Sequence, residues 1–253
     1  MKIATIIGAR PQFIKAAPVS EKIYSCNSLN EIIIHTGQHF DKNMSKIFFD
    51  EMKISEPDYN LNVNQMKYGQ MIDGMVNKIK PILSKEKIDG VLVYGDTNST
   101  LAGSLSAKHY DIPIFHVEAG LRSFNRSMQE ENNRIITDHL SSLLFCSSKN
   151  AVNNLLKENL TDSIMLSGDV MYDAYLKFSS FRDDLDDDLK RSNYILATLH
   201  RRENIESAEK LLVIFNNLEE INDDKRVIMP LHPHTKQKIE EYKIPSNITF
   251  IDP

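Results

Sequence analysis

The chain of 253 residues has no tryptophan and only two cysteines, Cys26 and Cys146. Two thiols build neither a disulfide framework nor a zinc site. Cys146, inside Leu143-Leu144-Phe145-Cys146, reads as a small buried apolar residue. A cytoplasmic protein with reduced thiols is the simplest expectation. No apolar run approaches the length of a membrane span. Met1-Lys2 leads directly into a strand-like run, so no secretory leader is expected. Basic residues are not in excess: the net charge is -5, which argues against a basic face for nucleic acid. The glycine patterns of the dinucleotide fingerprint and of the P-loop are both missing. What remains, 41% hydrophobic and 26% charged residues, is an ordinary globular composition.

Short Val/Ile/Leu runs alternate with amphipathic stretches. Strands are expected at Lys2–Ile7, Glu31–Thr36, Gly90–Tyr94, Pro113–Val117, Leu143–Cys146 and Ser163–Leu166. Helices are expected at Phe13–Tyr24, Asn43–Met52, Gln70–Ser84, Thr97–His109, Glu131–Ser141 and Asn150–Glu158. Strand runs without polar alternation suit a parallel sheet covered on both faces, and repeated βαβ units give a doubly wound α/β domain. The run Arg182-Asp183-Asp184-Leu185-Asp186-Asp187-Asp188 reads as a solvated connector. After it come strands Tyr194–Leu199, Arg226–Leu231 and Asn247–Ile251 with helices Ala208–Ile221 and Thr235–Tyr242. The expected domains are therefore 1–168 and 169–253. The last expected strand has no crossover after it, so the second domain is expected to be incomplete, or finished by another chain.

Two acids stand where apolar runs break into glycine and polar residues. Asp96 lies in Tyr94-Gly95-Asp96-Thr97 and Glu118 in His116-Val117-Glu118-Ala119-Gly120-Leu121-Arg122. In an open parallel sheet that break marks the carboxyl edge, where ligands bind. Two acids in one cleft can hold different protonation states, one removing a proton while the other supplies one. The plainer reading makes Asp96 the cap of the helix that follows. For both acids together, with Arg122 nearby, the functional reading is preferred.

Cations cluster at equivalent places. Gly8-Ala9-Arg10-Pro11-Gln12-Phe13-Ile14-Lys15 puts Arg10 and Lys15 at a helix start that could hold an anion. His200, Arg201 and Arg202 follow a strand of the second series and suit a diphosphate. In Thr36-Gly37-Gln38-His39, His39 alone reads more simply as a polar loop residue. His232-Pro233-His234 has no further ligands beside it, so no metal is expected. Glu130 and Glu131 open a helix, where the dipole alone favours acids.

Taken in order, GARPQFIK, HTGQHFD, YGDTNSTLAG, HVEAGLRS, Glu130-Glu131-Asn132-Asn133-Arg134, SGDVMYD, HRREN and PLHP resemble the non-hydrolysing UDP-N-acetylglucosamine 2-epimerases along the whole chain. The resemblance implies a GT-B arrangement of two Rossmann-like domains. It implies inversion at C2 of a UDP-2-acetamido sugar, by elimination of UDP across C1–C2 and its re-addition, for surface polysaccharide synthesis and without a cofactor. Asp96, Glu118 and Glu130 match the family's catalytic acids. Arg10, Lys15 and His200 match residues that hold UDP; Arg201, Arg122, Gln38 and His39 join them as candidate binding residues. A homodimer stays open; nucleic-acid and membrane partners are not expected.

Four departures from the family pattern stand out. The family continues beyond Pro253, with a Ser-Gly-Gly segment and a Glu that grip uridine and diphosphate, so this chain is expected to be a poor catalyst. Gln129 replaces a usual Pro. HTGQHFDKNMS differs from the usual AQHxxM, and the GLRSFNRSM loop is short. The last two features resemble the branch acting on modified UDP sugars, such as UDP-2,3-diacetamido uronic acids. Two other readings remain: a GT-B glycosyltransferase, and a non-catalytic remnant or UDP-sugar-binding module.

Overall fold

Strand β1 (Lys2–Ile7) shows how the first unit is built. Its side chains alternate between two apolar layers, Ala4 and Ile6 on one face and Ile3 and Ile7 on the other. Strand β4 (Gly90–Tyr94) divides in the same way, Val91 and Val93 against Leu92 and Tyr94. A strand apolar on both faces must be covered twice, which is the physics of a doubly wound sheet. The computed structural model describes residues 1–38, 49, 51–64, 67–179 and 193–252. The chain divides into two compact units, Met1–Ser180 and Phe181–Pro253.

In the first unit, β2 (Asn30–His35), β3 (Tyr59–Asn60), β5 (Ile114–Ala119), β6 (Leu143–Cys146) and β7 (Ile164–Leu166) complete a parallel sheet of order β3-β2-β1-β4-β5-β6-β7. Helix α1 (Arg10–Tyr24) covers one face with Phe13, Ala16, Ala17 and Ile23. Helices α2 (Tyr68–Glu86) and α3 (Asn98–Lys108) cover the other, chiefly through Met75, Ile79, Leu83 and Ala102. Each large side chain removed from water in these layers contributes about 1.5–3 kcal/mol. Helices α4 (Gln129–Leu140) and α5 (Lys149–Lys157) follow β5 and β6.

The expected boundaries shift at a few places. Helix α1 starts at Arg10, because Pro11 is suited to a first turn. β3 was not expected, being only two residues long. Nor was α6 (Val170–Phe178), which starts where the Asp169 side chain accepts the Met171 amide. It stays with the first unit: Val170 and Phe178 pack in the α1 layer and Lys177 pairs with Glu21. Most of the helix expected at Asn43–Met52, His39 and the aspartate run at 182–188 lie outside the described residues.

In the second unit, β8 (Ile195–Leu196), α7 (Arg202–Ile205), α8 (Ala208–Asp224), β9 (Val227–Pro230), α9 (Pro233–Tyr242) and β10 (Thr249–Ile251) form a parallel sheet of order β10-β9-β8. Its core gathers Ile205, Leu211, Phe215, Val227 and Met229. β8 is shorter than the run Tyr194–Leu199 because it pairs with β9 alone among the described residues. No described helix is long and apolar enough to cross a membrane.

Candidate active site

The site is built where β1, β4 and β5 end. Glu118 lies at the end of β5 with φ at 69°, a left-handed conformation that costs a non-glycine residue about 1–3 kcal/mol. Pairing with β6 shifts register between Val117 and Ala119, so Glu118 is the extra residue of a bulge, a device that re-aims a side chain. Its Oε2 lies 2.5 Å from Lys15 Nζ, and the two side chains are 14% and 11% exposed. Gly95 sits against both: a Cβ there would be 3.2 Å from Lys15 Nζ and 3.8 Å from Glu118 Oε1. Gly95 also has φ at 63°, so the turn ahead of Asp96 favours glycine for its left-handed backbone.

Asp96 is not a helix cap. Helix α3 is capped by Thr97, whose hydroxyl accepts the Thr100 amide at 3.3 Å. The Asp96 carboxylate instead pairs with Arg134. Arg134 also reaches Glu131 Oε2 at 3.1 Å. Backbone carbonyls on both sides of Asp96 are held by side chains: Gly95 O accepts His116 Nε2 at 2.7 Å, and Asp96 O accepts Asn133 Nδ2 at 3.0 Å.

Glu130 and Glu131 differ sharply. Glu131 is buried and accepts the Ser123 and Phe124 amides, each at 2.9 Å. Burial alone would raise its pKa; those two amides and Arg134 outweigh it and hold the carboxyl below its ordinary value. Glu130 is exposed at the first turn of α4. Its charge, with burial as the larger cause, raises the pKa of the Tyr68 phenol. Tyr68 donates to Asn133 Oδ1 at 2.5 Å, so Tyr68, Asn133, Asp96 and Glu130 are neighbours.

Arg122 lies inside the protein rather than at an open surface. Its guanidinium is enclosed in the protein, with Nε and Nη2 on Glu158 and Nη1 on Asp138 and the Leu121 carbonyl, all at 2.7 Å. Four of its five N–H donors are engaged within the protein, and they tie the loop after β5 to Asp138 and Glu158. Burial opposes the Arg122 charge, but Glu158 and Asp138 overcome this and raise its pKa. Glu158 is held low by its hydrogen bond to Arg122. Gln38 is engaged too: its Oε1 accepts the Ser99 amide at 3.2 Å and the Ser99 hydroxyl at 2.8 Å at the start of α3.

Arg10 is exposed at the start of α1. The loop before it is fixed by Gln12, buried, whose Oε1 accepts the Gly8 and Ala9 amides at 2.9 and 3.1 Å. The Gln12 amide nitrogen donates to Tyr94 O and Thr100 Oγ1, both at 3.1 Å, and so ties the β1 loop to the β4 loop. In the second unit His200 and Arg201 are exposed after β8. The His200 ring stands 6.1 Å from that of His232, and Leu199 O accepts Thr235 Oγ1 at 2.5 Å. His232 caps α9, its Nδ1 accepting the His234 amide at 3.2 Å.

Sequence reasoning missed His116, Asn133, Arg134, Asp138, Tyr68 and Gln12. One signal was present: Asn133 and Arg134 stand three and four residues after Glu130, the spacing that places side chains on one helix face.

Known proteins carry the same framework. The family model for UDP-N-acetylglucosamine 2-epimerase matches residues 21–253. A UDP-N-acetylglucosamine 2-epimerase homolog of Methanococcus maripaludis is 48% identical over all of this chain and 71% of its own length. The UDP-2,3-diacetamido-2,3-dideoxy-D-glucuronate 2-epimerase of Pseudomonas aeruginosa is also 48% identical, over all of this chain and 73% of its own. The crystal structure of the Methanocaldococcus jannaschii UDP-GlcNAc 2-epimerase, in complex with UDP-GlcNAc and UDP, superposes with a TM-score of 0.89 at 40% identity, covering all of this chain and 74% of that one. Its two Rossmann-like units are of the GT-B class, and the chain belongs to the UDP-N-acetylglucosamine 2-epimerase family.

Proposed function

We propose that the chain inverts C2 of a UDP-2-acetamido sugar. One observation carries the reading: a strained, bulged Glu118 whose carboxylate meets Lys15 beside the Gly95-Asp96 turn. Strain of this kind is retained where a side chain must be aimed at chemistry. One acid takes the C2 proton as the C1–O bond to diphosphate breaks, and the electrons left on C2 form the C1=C2 double bond. UDP then re-adds at C1 while a proton is delivered to the other face of C2. Asp96, Glu118 and Glu130 divide these proton transfers, each worth about 10²–10⁴-fold in rate. Arg10 and Lys15 of the first unit hold the diphosphate so that it can return; His200 and Arg201 are the candidate phosphate-binding residues of the second unit. Gln38, beside Ser99 at the start of α3, and His39, outside the described residues, complete the proposed binding set.

The M. jannaschii complex and the P. aeruginosa relative support two sugar classes, UDP-N-acetylglucosamine and a UDP-2,3-diacetamido uronic acid. Supply of surface polysaccharide precursors in the cytoplasm, by a homodimer, is the setting we infer. The test is incubation of each sugar with the chain in heavy water. Deuterium at C2 with a mixture of C2 epimers is expected, at a slow rate in keeping with the poor catalysis expected of this chain. Transfer of the sugar without exchange at C2 would favour a glycosyltransferase; UDP binding without exchange would favour a binding module.

A further inference from the structure

Asp138 and His116 are buried completely and neither has a role in the proton transfers above. His116 Nδ1 meets Asp138 Oδ1 at 2.7 Å, and its Nε2 meets the Gly95 carbonyl at 2.7 Å. Both partners are oxygen acceptors, so each ring nitrogen donates. Asp138 is itself fixed: its Oδ2 accepts the Gly120 amide at 3.1 Å and Arg122 Nη1 at 2.7 Å. A relay therefore runs from α4 through Asp138 and His116 to the peptide that joins Gly95 to Asp96. A second link from α4, Asn133 to Asp96 O, holds the peptide on the other side.

We propose that His116 is a positioning residue that fixes the Gly95–Asp96 peptide plane, and with it the aim of the Asp96 carboxylate. This rests on the epimerase reading for its kinetic consequence but not for its structural one. Gly95 is left-handed, and glycine at φ 63° resists rotation of the following peptide less than any other residue would. Among the described residues, the side chain that donates to its carbonyl is His116. Remove that donor and the carbonyl is left facing a buried space with nothing to satisfy it, a cost relieved by turning the peptide. His116 also stands two residues before Glu118 on the same strand, so one element places one acid and steers another.

Two substitutions separate this role from simple core stability. In His116→Asn the amide nitrogen reaches the Nδ1 position, keeping Asp138 and losing Gly95. In His116→Gln it reaches the Nε2 position, keeping Gly95 and losing Asp138. Expected kcat falls on the order of 10²-fold for Asn and less than about tenfold for Gln, since small misplacements of a catalytic group cost about that much. KM should stay within about twofold in both. Thermal stability should run in the opposite order, Gln below Asn, because Gln leaves the buried Asp138 Oδ1 without its donor while Oδ2 keeps Arg122 and the Gly120 amide. The backbone amide resonance of Asp96 should move in Asn and stay in place in Gln, a reading that needs no turnover. Equal kcat and Tm orders, or an unmoved Asp96 amide in His116→Asn, would overturn the proposal. A wild-type chain without epimerase activity would overturn the functional reading, and the amide comparison alone would then decide on His116.

Discussion

Replacing Arg122 with Met asks whether that guanidinium serves ligand or fold. Met keeps most of the apolar stem and removes the charge. Two carboxylates lose their partner. Glu158 is 24% exposed, so water repays most of its loss, leaving under about 1 kcal/mol. Asp138 has no access to solvent and keeps only His116 and the Gly120 amide. Breaking a buried pair from one side costs about 3–5 kcal/mol. For a unit of this size that corresponds to a Tm loss of roughly 6–20 °C. Differential scanning calorimetry reads it directly. Acid unfolding supplies an independent arm. Burial would raise Asp138, but His116 and Arg122 hold it low, and Arg122 holds Glu158 low. A carboxyl whose folded pKa is depressed stabilises fully above its unfolded value, about 3.9 for Asp and 4.3 for Glu. That stability is lost as pH falls through the folded value. The wild type should therefore shed stability on acidification below about pH 4, and Arg122→Met should show a shallower fall. UDP affinity, measured by titration calorimetry well below the variant's Tm, should match the wild type. A Tm loss below about 3 °C, or a tenfold weaker UDP affinity with Tm intact, would refute the structural role.

Glu130→Gln should abolish C2 exchange and leave Tm within about 1 °C, whereas Glu131→Gln should lower Tm by several degrees through the lost Ser123 and Phe124 contacts; the same Tm response in both would contradict the division. Glu31 is raised by burial above its ordinary value, despite hydrogen bonds from Thr5 and Ser20, so its ionisation destabilises the fold as pH rises through the unfolded value. Glu31→Gln keeps an acceptor for both hydroxyls and should raise Tm at pH 7 by about 2–4 °C, with the gain vanishing below about pH 4; no gain at pH 7 would count against it. Gly95→Ala forces a left-handed alanine, about 1–2 kcal/mol, and sets a methyl 3.2 Å from Lys15 Nζ. Weakened UDP binding by titration is expected, and an unchanged Kd would detach Lys15 from the diphosphate.

The strands that position the acids were legible because their edges are chemical. Lys2–Ile7, Gly90–Tyr94 and Leu143–Cys146 stand where the sequence places them, each an apolar run closed by glycine or polar residues. The acids Asp96 and Glu118 were legible for the same reason. Helix α4 shows where reading by hydropathy stops. Its inward residues include Glu131, Asn133 and Asp138, all buried, while Ile136 is 43% exposed. A pattern of apolar-in and polar-out inverts that helix. The inversion has a physical cause. Helix α4 supplies the hydrogen bonds that hold the β4 and β5 loops, and each polar group finds its partner across the fold. Arg122 could not be assigned from HVEAGLRS because its partners lie 16 and 36 residues away.

The two acids at the sheet edge are neutralised by cations of different kinds, and this makes them unequal. Arg134 meets Asp96 from one side of its fork and Glu131 from the other, and Glu131 is itself locked by two backbone amides. A planar guanidinium held at two points cannot leave Asp96 without stranding a buried carboxylate. Lys15 is a point charge on a flexible stem, and it pairs with Glu118. On the proposed reading, an arriving diphosphate draws that ammonium away at the cost of a single pair. The same reading makes Glu118, of the two acids, the one whose electrostatic surroundings respond to the ligand. Asp96 keeps its partner and, through His116 and Asn133, its place.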